Sequence, residues 1–156
     1  NVYKNKIVVA PGGGFPEKCW GNKNFSELTQ FLLREKSLKI CIIGSEEDRL
    51  RIQLPQSKSL RNLCGKLNLR QSSALVSTSD FVITNSSFCM HLAGAFKIPS
   101  LALLGEWYES ANLHKKQWGY PETTVKGKET TPVVNEITSI NDALINIRKF
   151  LQQRRT

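Results

Sequence analysis

Two stretches of this sequence carry residue types suited to a phosphate-bearing ligand. The first, Pro11-Gly12-Gly13-Gly14-Phe15-Pro16-Glu17-Lys18-Cys19-Trp20, directly follows the apolar run Ile7-Val8-Val9-Ala10. Consecutive glycines after a strand let the backbone approach a ligand closely and turn amide N–H groups toward an anion. Lys18 adds a mobile point charge suited to a diphosphate. The stretch is neither G-x-G-x-x-G nor the P-loop G-x-x-x-x-G-K-[ST], so a flexible turn before a helix is the plain alternative. The second stretch is Thr84-Asn85-Ser86-Ser87-Phe88-Cys89-Met90-His91-Leu92-Ala93-Gly94-Ala95. Here a strand ends and a helix begins among small hydroxyl residues, and a helix N-terminus offers free N–H groups and a favourable dipole to an anion. Ser86 and Ser87 could donate to a phosphate or simply cap the helix. His91, in the first turn, could face the same anion or pack.

Two further stretches are weaker. Gly44-Ser45-Glu46-Glu47-Asp48 places acids after an apolar run, where a carboxylate can accept ribose hydroxyls or complement a helix dipole. Gly105-Glu106-Trp107-Tyr108 follows another apolar run. Trp107 there could stack on a base or cover the core, and Trp118-Gly119 is ambiguous in the same way.

These segments need a scaffold, and hydrophobic patterning supplies one. Strands are expected at 7–10, Leu38–Ile43, Leu60–Cys64, Phe81–Ile83 and Ser100–Leu104. Helices are expected between them: around Phe25, Leu28, Phe31 and Leu32 with Asn24 as cap; over Glu46–Leu54, ended by Pro55; over Leu69–Ser77, capped by Asn68; and over Ser87–Phe96. A last amphipathic helix carries Ile140, Leu144, Ile147 and Leu151, with Ser139 or Asn141 near its start. Residues 105–134 read as irregular. Strand and helix alternate five times, which predicts an α/β domain with a parallel sheet covered by helices on both faces. Ligands of such sheets bind at the carboxyl ends of the strands, and every stretch singled out above lies there.

Composition narrows the function classes. The chain has 156 residues, 40% of them hydrophobic, which fits one ordinary domain with a full core. It starts at Asn1 without an initiator Met or a charged-then-apolar leader, so it reads as a piece of a longer or processed protein. No apolar run is long enough to span a bilayer. The four cysteines, Cys19, Cys41, Cys64 and Cys89, form no C-x-x-C pair, and His91 and His114 offer no zinc spacing. Free thiols in a reducing compartment are expected, with Cys41 buried; the glycosylation-like Asn24-Phe25-Ser26 and Asn85-Ser86-Ser87 would then be unused. No Asp-x-Asp pair suggests a metal, and no cofactor is expected. The net charge is +9, which attracts phosphate-bearing partners. The basic residues lack a nucleic-acid-binding pattern. The densest cluster, Arg148, Lys149, Arg154 and Arg155, would be drawn to an anionic membrane surface.

Taken together, the stretches resemble glycosyltransferase family 9, the ADP-heptose:lipopolysaccharide heptosyltransferases, over nearly the whole chain. The resemblance rests on Pro11 to Gly21, on Phe25, Leu28 and Leu32, on Gly44-Ser45-Glu46, on Asn62 to Val76 with Asp80, and above all on Asn85 to Gly105. Within that last stretch Met90-His91-Leu92-Ala93, Pro99 and Ala102-Leu103-Leu104-Gly105 fall at the family's spacings. The resemblance implies a GT-B fold, two Rossmann-like domains facing a cleft, of which residues 1–156 would be the C-terminal, donor-binding half. The acceptor-binding N-terminal domain, with the catalytic aspartate, would lie outside this chain, so the chain alone is expected to be inactive. The donor would be an ADP-sugar and the acceptor a lipopolysaccharide-type glycan, at the cytoplasmic side, peripheral to the inner membrane. By resemblance Gly13, Gly14 and Lys18 would meet the diphosphate, with Lys18 stabilising the leaving group. Glu46 would bind the ribose and Leu67 would line the adenine pocket. Ser86, Ser87, Phe88 and His91 would form the donor side of the helix start.

The sequence departs from the family where the pattern D-S-G-P becomes Ser86-Ser87-Phe88-Cys89. The family's acid is expected at the donor sugar, and Ser86 does not replace its charge. Phe88 and Cys89 crowd the helix start. Either the donor sugar differs or the site is weakened. The alternative is therefore a degenerate, non-catalytic domain serving assembly or regulation, and a nucleic-acid-binding module stands as a distant third.

Overall fold

The computed structural model describes residues 5–131 and 136–153. Strands β1 (Lys6–Ala10), β2 (Lys39–Ile42), β3 (Leu60–Asn62), β4 (Phe81–Thr84), β5 (Ser100–Leu103) and β6 (Thr123–Lys126) form one sheet. Its order is β3-β2-β1-β4-β5-β6, and all pairings are parallel. The inner strands are continuous apolar runs because both sheet faces are covered. Side chains alternate between the two sheet faces. Ile7, Val9, Ile40, Ile42, Ile83, Leu101 and Leu103 share one cluster with residues of α1 (Asn22–Leu32) and α6 (Ile140–Gln153). Val8, Cys41 and Val82 form a second with Val76 of α3 (Leu69–Ser77) and Ala93 of α4 (Phe88–Ala95). A smaller third cluster gathers Met90, Ala102, Leu104, Ala111 and Val125. The expected doubly covered Rossmann-like sheet is present.

Several local expectations need correction. The sheet has a sixth strand, and residues 105–134 are not irregular throughout, since α5 spans Ala111–Trp118 and leads to β6. Both elements escape pattern reading because α5 buries only Ala111 and His114 and β6 is an edge strand with alternating burial. The helix α1 starts before Asn24. Gly21 is its N-cap with φ 110°, and Asn24 instead donates from Nδ2 to the Trp20 carbonyl at 2.7 Å. The helix α2 (Glu46–Arg51) stops short of Leu54. Other caps follow expectation. Asn68 makes a full capping box with Gln71 at α3, and the Ser139 hydroxyl accepts from the Asp142 N–H at 3.2 Å at the start of α6. All four cysteines are free, and Cys41 is buried. Arg154 and Arg155 lie outside the described residues. Among the described residues no helix is long and apolar enough to cross a membrane.

Strand order reverses beside β1. The chain builds outward through β2 and β3, then returns to β4 on the other side of β1. Such a switch point opens a crevice between the carboxyl ends of the two strands, where open α/β sheets bind ligands.

Candidate functional site

The two phosphate-suited stretches meet at this crevice, because the glycine loop leaves β1 and the Ser86-Ser87 turn leaves β4. A residue given no role of its own above holds them together. Asn85, buried at the end of β4, donates from Nδ2 to the carbonyls of Pro11 (2.7 Å) and Gly12 (3.1 Å). Its Oδ1 accepts the Trp20 N–H at 2.8 Å. One carboxamide thus ties both ends of the glycine loop to β4. Trp20 is anchored again by its indole N–H, which donates to the Thr138 carbonyl at 2.6 Å.

The glycines serve different ends. A side chain on Gly12 would strike the Asp48 carboxylate, and one on Gly13 would meet the Cys19 sulfur at 2.6 Å. Gly14 is exposed with open space beside it. A cavity of about 320 Å³ runs along this loop and is also lined by Asp48 and Arg51. The loop then crosses the end of β5, where the Gly105 N–H donates to the Lys18 carbonyl (3.2 Å) and the Trp107 N–H to the Glu17 carbonyl (3.1 Å). A methyl on Gly105 would sit 2.5 Å from two backbone carbonyl oxygens, those of Glu17 and Cys19, so only glycine permits this crossing. The Lys18 ammonium lies 4.3 Å from the ring centre of Trp107 and 5.4 Å from that of Phe15. Both rings are exposed, and such contacts hold a cation by roughly 0.5–1 kcal/mol. Trp107 therefore orients Lys18.

At α4 neither serine side chain caps the helix. Ser87 occupies the N-cap position without a side-chain cap bond, and its hydroxyl pairs with that of Thr84 at 3.0 Å. Ser86 pairs with His114 Nε2 at 2.7 Å. His114 is a site residue that sequence reasoning missed. It is buried, packs edge-on against Tyr108, and leaves Nδ1 without a partner. Burial, and then the nearby His91, push its pKa down, so the imidazole is neutral at pH 7. His91 itself is exposed, and its Nδ1 lies 2.8 Å from the Tyr120 hydroxyl. A phenol donating to Nδ1 would leave the proton on Nε2, where it could meet an anion, whereas an Nδ1–H donating to the phenol would leave Nε2 an acceptor. Tyr120 also lies so close on Gly94 that a side chain there would overlap its ring. Phe88 is half exposed at the helix start.

The acids after β2 divide their tasks. Ser45 and Asp48 form a capping box at α2, which holds the Asp48 carboxylate against Gly12 and Gly44. Burial, and then the Asp48 charge, raise the Cys64 and Cys89 thiols to about 12. Glu46, exposed on α2, forms an ion pair with Arg49, which lowers its pKa. Leu67 is half-buried beside the cluster that holds Val8 and Val82. The β2 side of the crevice therefore sets the Asp48 carboxylate beside Arg51, and the β4 side offers donors. Among the described residues, no three His, Cys, Asp or Glu are arranged to hold a metal ion.

The chain is 32% identical over 107 residues to lipooligosaccharide heptosyltransferase 2 of Haemophilus influenzae, an alignment covering 64% of this chain and 31% of that protein. The structure of Escherichia coli ADP-heptose LPS heptosyltransferase II superposes with a TM-score of 0.79 at 22% identity, covering all of this chain and 49% of that one. The Escherichia coli heptosyltransferase WaaC with ADP-2-deoxy-2-fluoro heptose gives 0.66 at 15% identity, covering 93% and 43%; these two likenesses carry the fold alone. The chain spans about a third of the length of the relatives it matches in sequence. The sequence profile of glycosyltransferase family 9 (heptosyltransferase) matches residues 1–127, and the chain belongs to that family.

Proposed function

We propose that this chain is the donor-binding domain of a family 9 glycosyltransferase that holds an ADP-sugar of the ADP-heptose type. The observation that carries this reading is the β1–β4 switch point, where Asn85 fastens an open glycine loop beside an α4 start whose serines do not cap it. An anionic diphosphate is repelled by Asp48 on the β2 side and attracted by N–H groups, Lys18 and His91 Nε2 on the β4 side. The ribose and adenine then extend toward Glu46 and Leu67, with Arg49 yielding part of its hold on Glu46. In the reaction an acceptor hydroxyl oxygen bonds to the anomeric carbon with inversion. The bond from that carbon to the diphosphate oxygen breaks, ADP departs, and the hydroxyl proton passes to a base on an acceptor domain outside this chain. This domain's share is to stabilise the departing charge. The chain alone binds donor and does not turn it over. The acceptor is a lipopolysaccharide-type glycan, and the enzyme works at the cytoplasmic face of the inner membrane.

A second reading has specific support. Ser86 is engaged by His114, and Phe88 stands at the helix start, which fits a domain that has kept its fold and lost the donor. Calorimetric titration with ADP, UDP, GDP and ADP-heptose separates the two. Saturable ADP binding, weakened about tenfold in Lys18→Ala (about 1.4 kcal/mol), supports the donor site. A folded protein that binds none of the four supports the degenerate domain.

A further inference from the structure

At the opposite rim of the sheet from the nucleotide crevice, cationic side chains converge from the starts of neighbouring strands. Lys6 begins β1, Lys39 begins β2, and Lys58 and Arg61 flank the start of β3. All four line one groove of about 390 Å³, and among the described residues no carboxylate lines it. The groove exists because α3 and α4 pack on each other over the middle of this sheet face, where Val76 and Ala93 meet Val8 and Val82. The outer strands β2 and β3 are left partly open there. Cys41, Leu63 and Leu75 supply its apolar surface, and the cations stand around it, with Lys58 and Arg61 exposed. Lys6 and Lys39 are held by neutral hydroxyls. Lys6 Nζ donates to Thr78 Oγ1 at 2.7 Å, and Lys39 Nζ to Ser59 Oγ at 3.4 Å. The Asp80 carboxylate accepts the backbone N–H groups of Asn5 and Lys6.

Like charges gathered around a lining that holds no carboxylate among the described residues repel one another, and an anion relieves that repulsion. We propose that this groove docks the phosphate-bearing headgroups of an anionic bilayer. Its chemistry favours an amphiphile over other anions. Free phosphate would leave the apolar part of the lining unused, and single-stranded nucleic acid would find no aromatic ring among the described lining residues to stack its bases on. A headgroup phosphate among the cations, with its glycerol against Leu63 and Leu75, uses both. The location also leaves the crevice at the other rim open to donor. The proposal is independent of the donor assignment and moves the membrane contact expected of the α6 basic cluster to the β3 edge.

The test is sedimentation of this chain with vesicles of phosphatidylcholine alone, or with roughly one third phosphatidylglycerol. The variant Lys58→Glu/Arg61→Glu is compared with Lys115→Glu/Lys116→Glu on α5, which changes net charge equally away from the groove. A basic residue at an anionic surface is worth about fivefold in binding, so the groove variant should bind the anionic vesicles at least tenfold more weakly, with the α5 variant within about twofold of the unaltered chain. Lys58→Gln/Arg61→Gln, set against Lys115→Gln/Lys116→Gln, gives the same comparison should charge reversal disturb folding. Equal losses in both variants would reduce the effect to net charge and overturn the proposal. So would absence of binding to anionic vesicles, or full displacement by millimolar inorganic phosphate at constant ionic strength, which would assign the groove to a free anion.

Discussion

Replacing Asn85 with alanine tests whether one carboxamide organises the crevice. The change removes three hydrogen bonds and strands the Trp20 N–H and the Pro11 carbonyl, both on buried residues, while the half-buried Gly12 carbonyl regains water. At about 1–1.5 kcal/mol for each of these bonds, the expected loss is about 3–4 kcal/mol. For a domain of this size that corresponds to a melting temperature lower by roughly 6–15 °C. Asn85→Asp is the sharper companion. It keeps the acceptor for Trp20 but turns an oxygen toward the Pro11 and Gly12 carbonyls, so it should be as damaging at pH 7 and partly recover where the carboxyl protonates and can donate again. Urea unfolding followed by circular dichroism measures both. A loss below about 1 kcal/mol in Asn85→Ala, or an aspartate variant indifferent to pH, would mean the loop is held by something else.

Other consequences follow from the same geometry. Gly105→Ala drives a methyl into the backbone of Glu17 to Cys19, so stability should fall by about 1–3 kcal/mol and ADP affinity with it; unchanged values of both would show that the crossing has slack. Asn68→Ala removes the α3 capping box and should cost about 1 kcal/mol without touching nucleotide affinity. His114 has a lowered folded-state pKa, so the unfolded chain takes up its proton first. Its contribution to stability is complete above the unfolded value, about 6.5, and is lost as pH falls from there through the folded value. His114→Gln should flatten the stability profile between about pH 6.5 and the folded-state pKa; an identical slope in both proteins would refute the assignment.

Much of the fold was legible because buried parallel strands are continuous apolar runs, and β1, β2, β4 and β5 are of that kind. The helix α5 and strand β6 were not, since their helical and alternating patterns rest on so few apolar residues. The cap of α1 was misplaced because Asn24 is a good capping residue. The positive φ at Gly21, where the chain turns away from a Trp20 fixed by Asn85, decides the start instead. In the site, residue types revealed the glycine loop and the α4 turn because their chemistry is local. His114 and Tyr120 act through partners 28 and 29 positions away, which no spacing rule reaches. The pairing of Glu46 with Arg49 is an ordinary contact along one helix face, yet which of two roles Glu46 takes depends on a ligand.

The most direct measurement is amide chemical-shift mapping of the isotope-labelled chain during titration with ADP. The account predicts the largest shifts at Gly13, Gly14 and the first turn of α4, Phe88 to His91, on both walls of the β1–β4 crevice, with little change at β3. Saturable binding whose shifts cluster away from the glycine loop and α4 would contradict it.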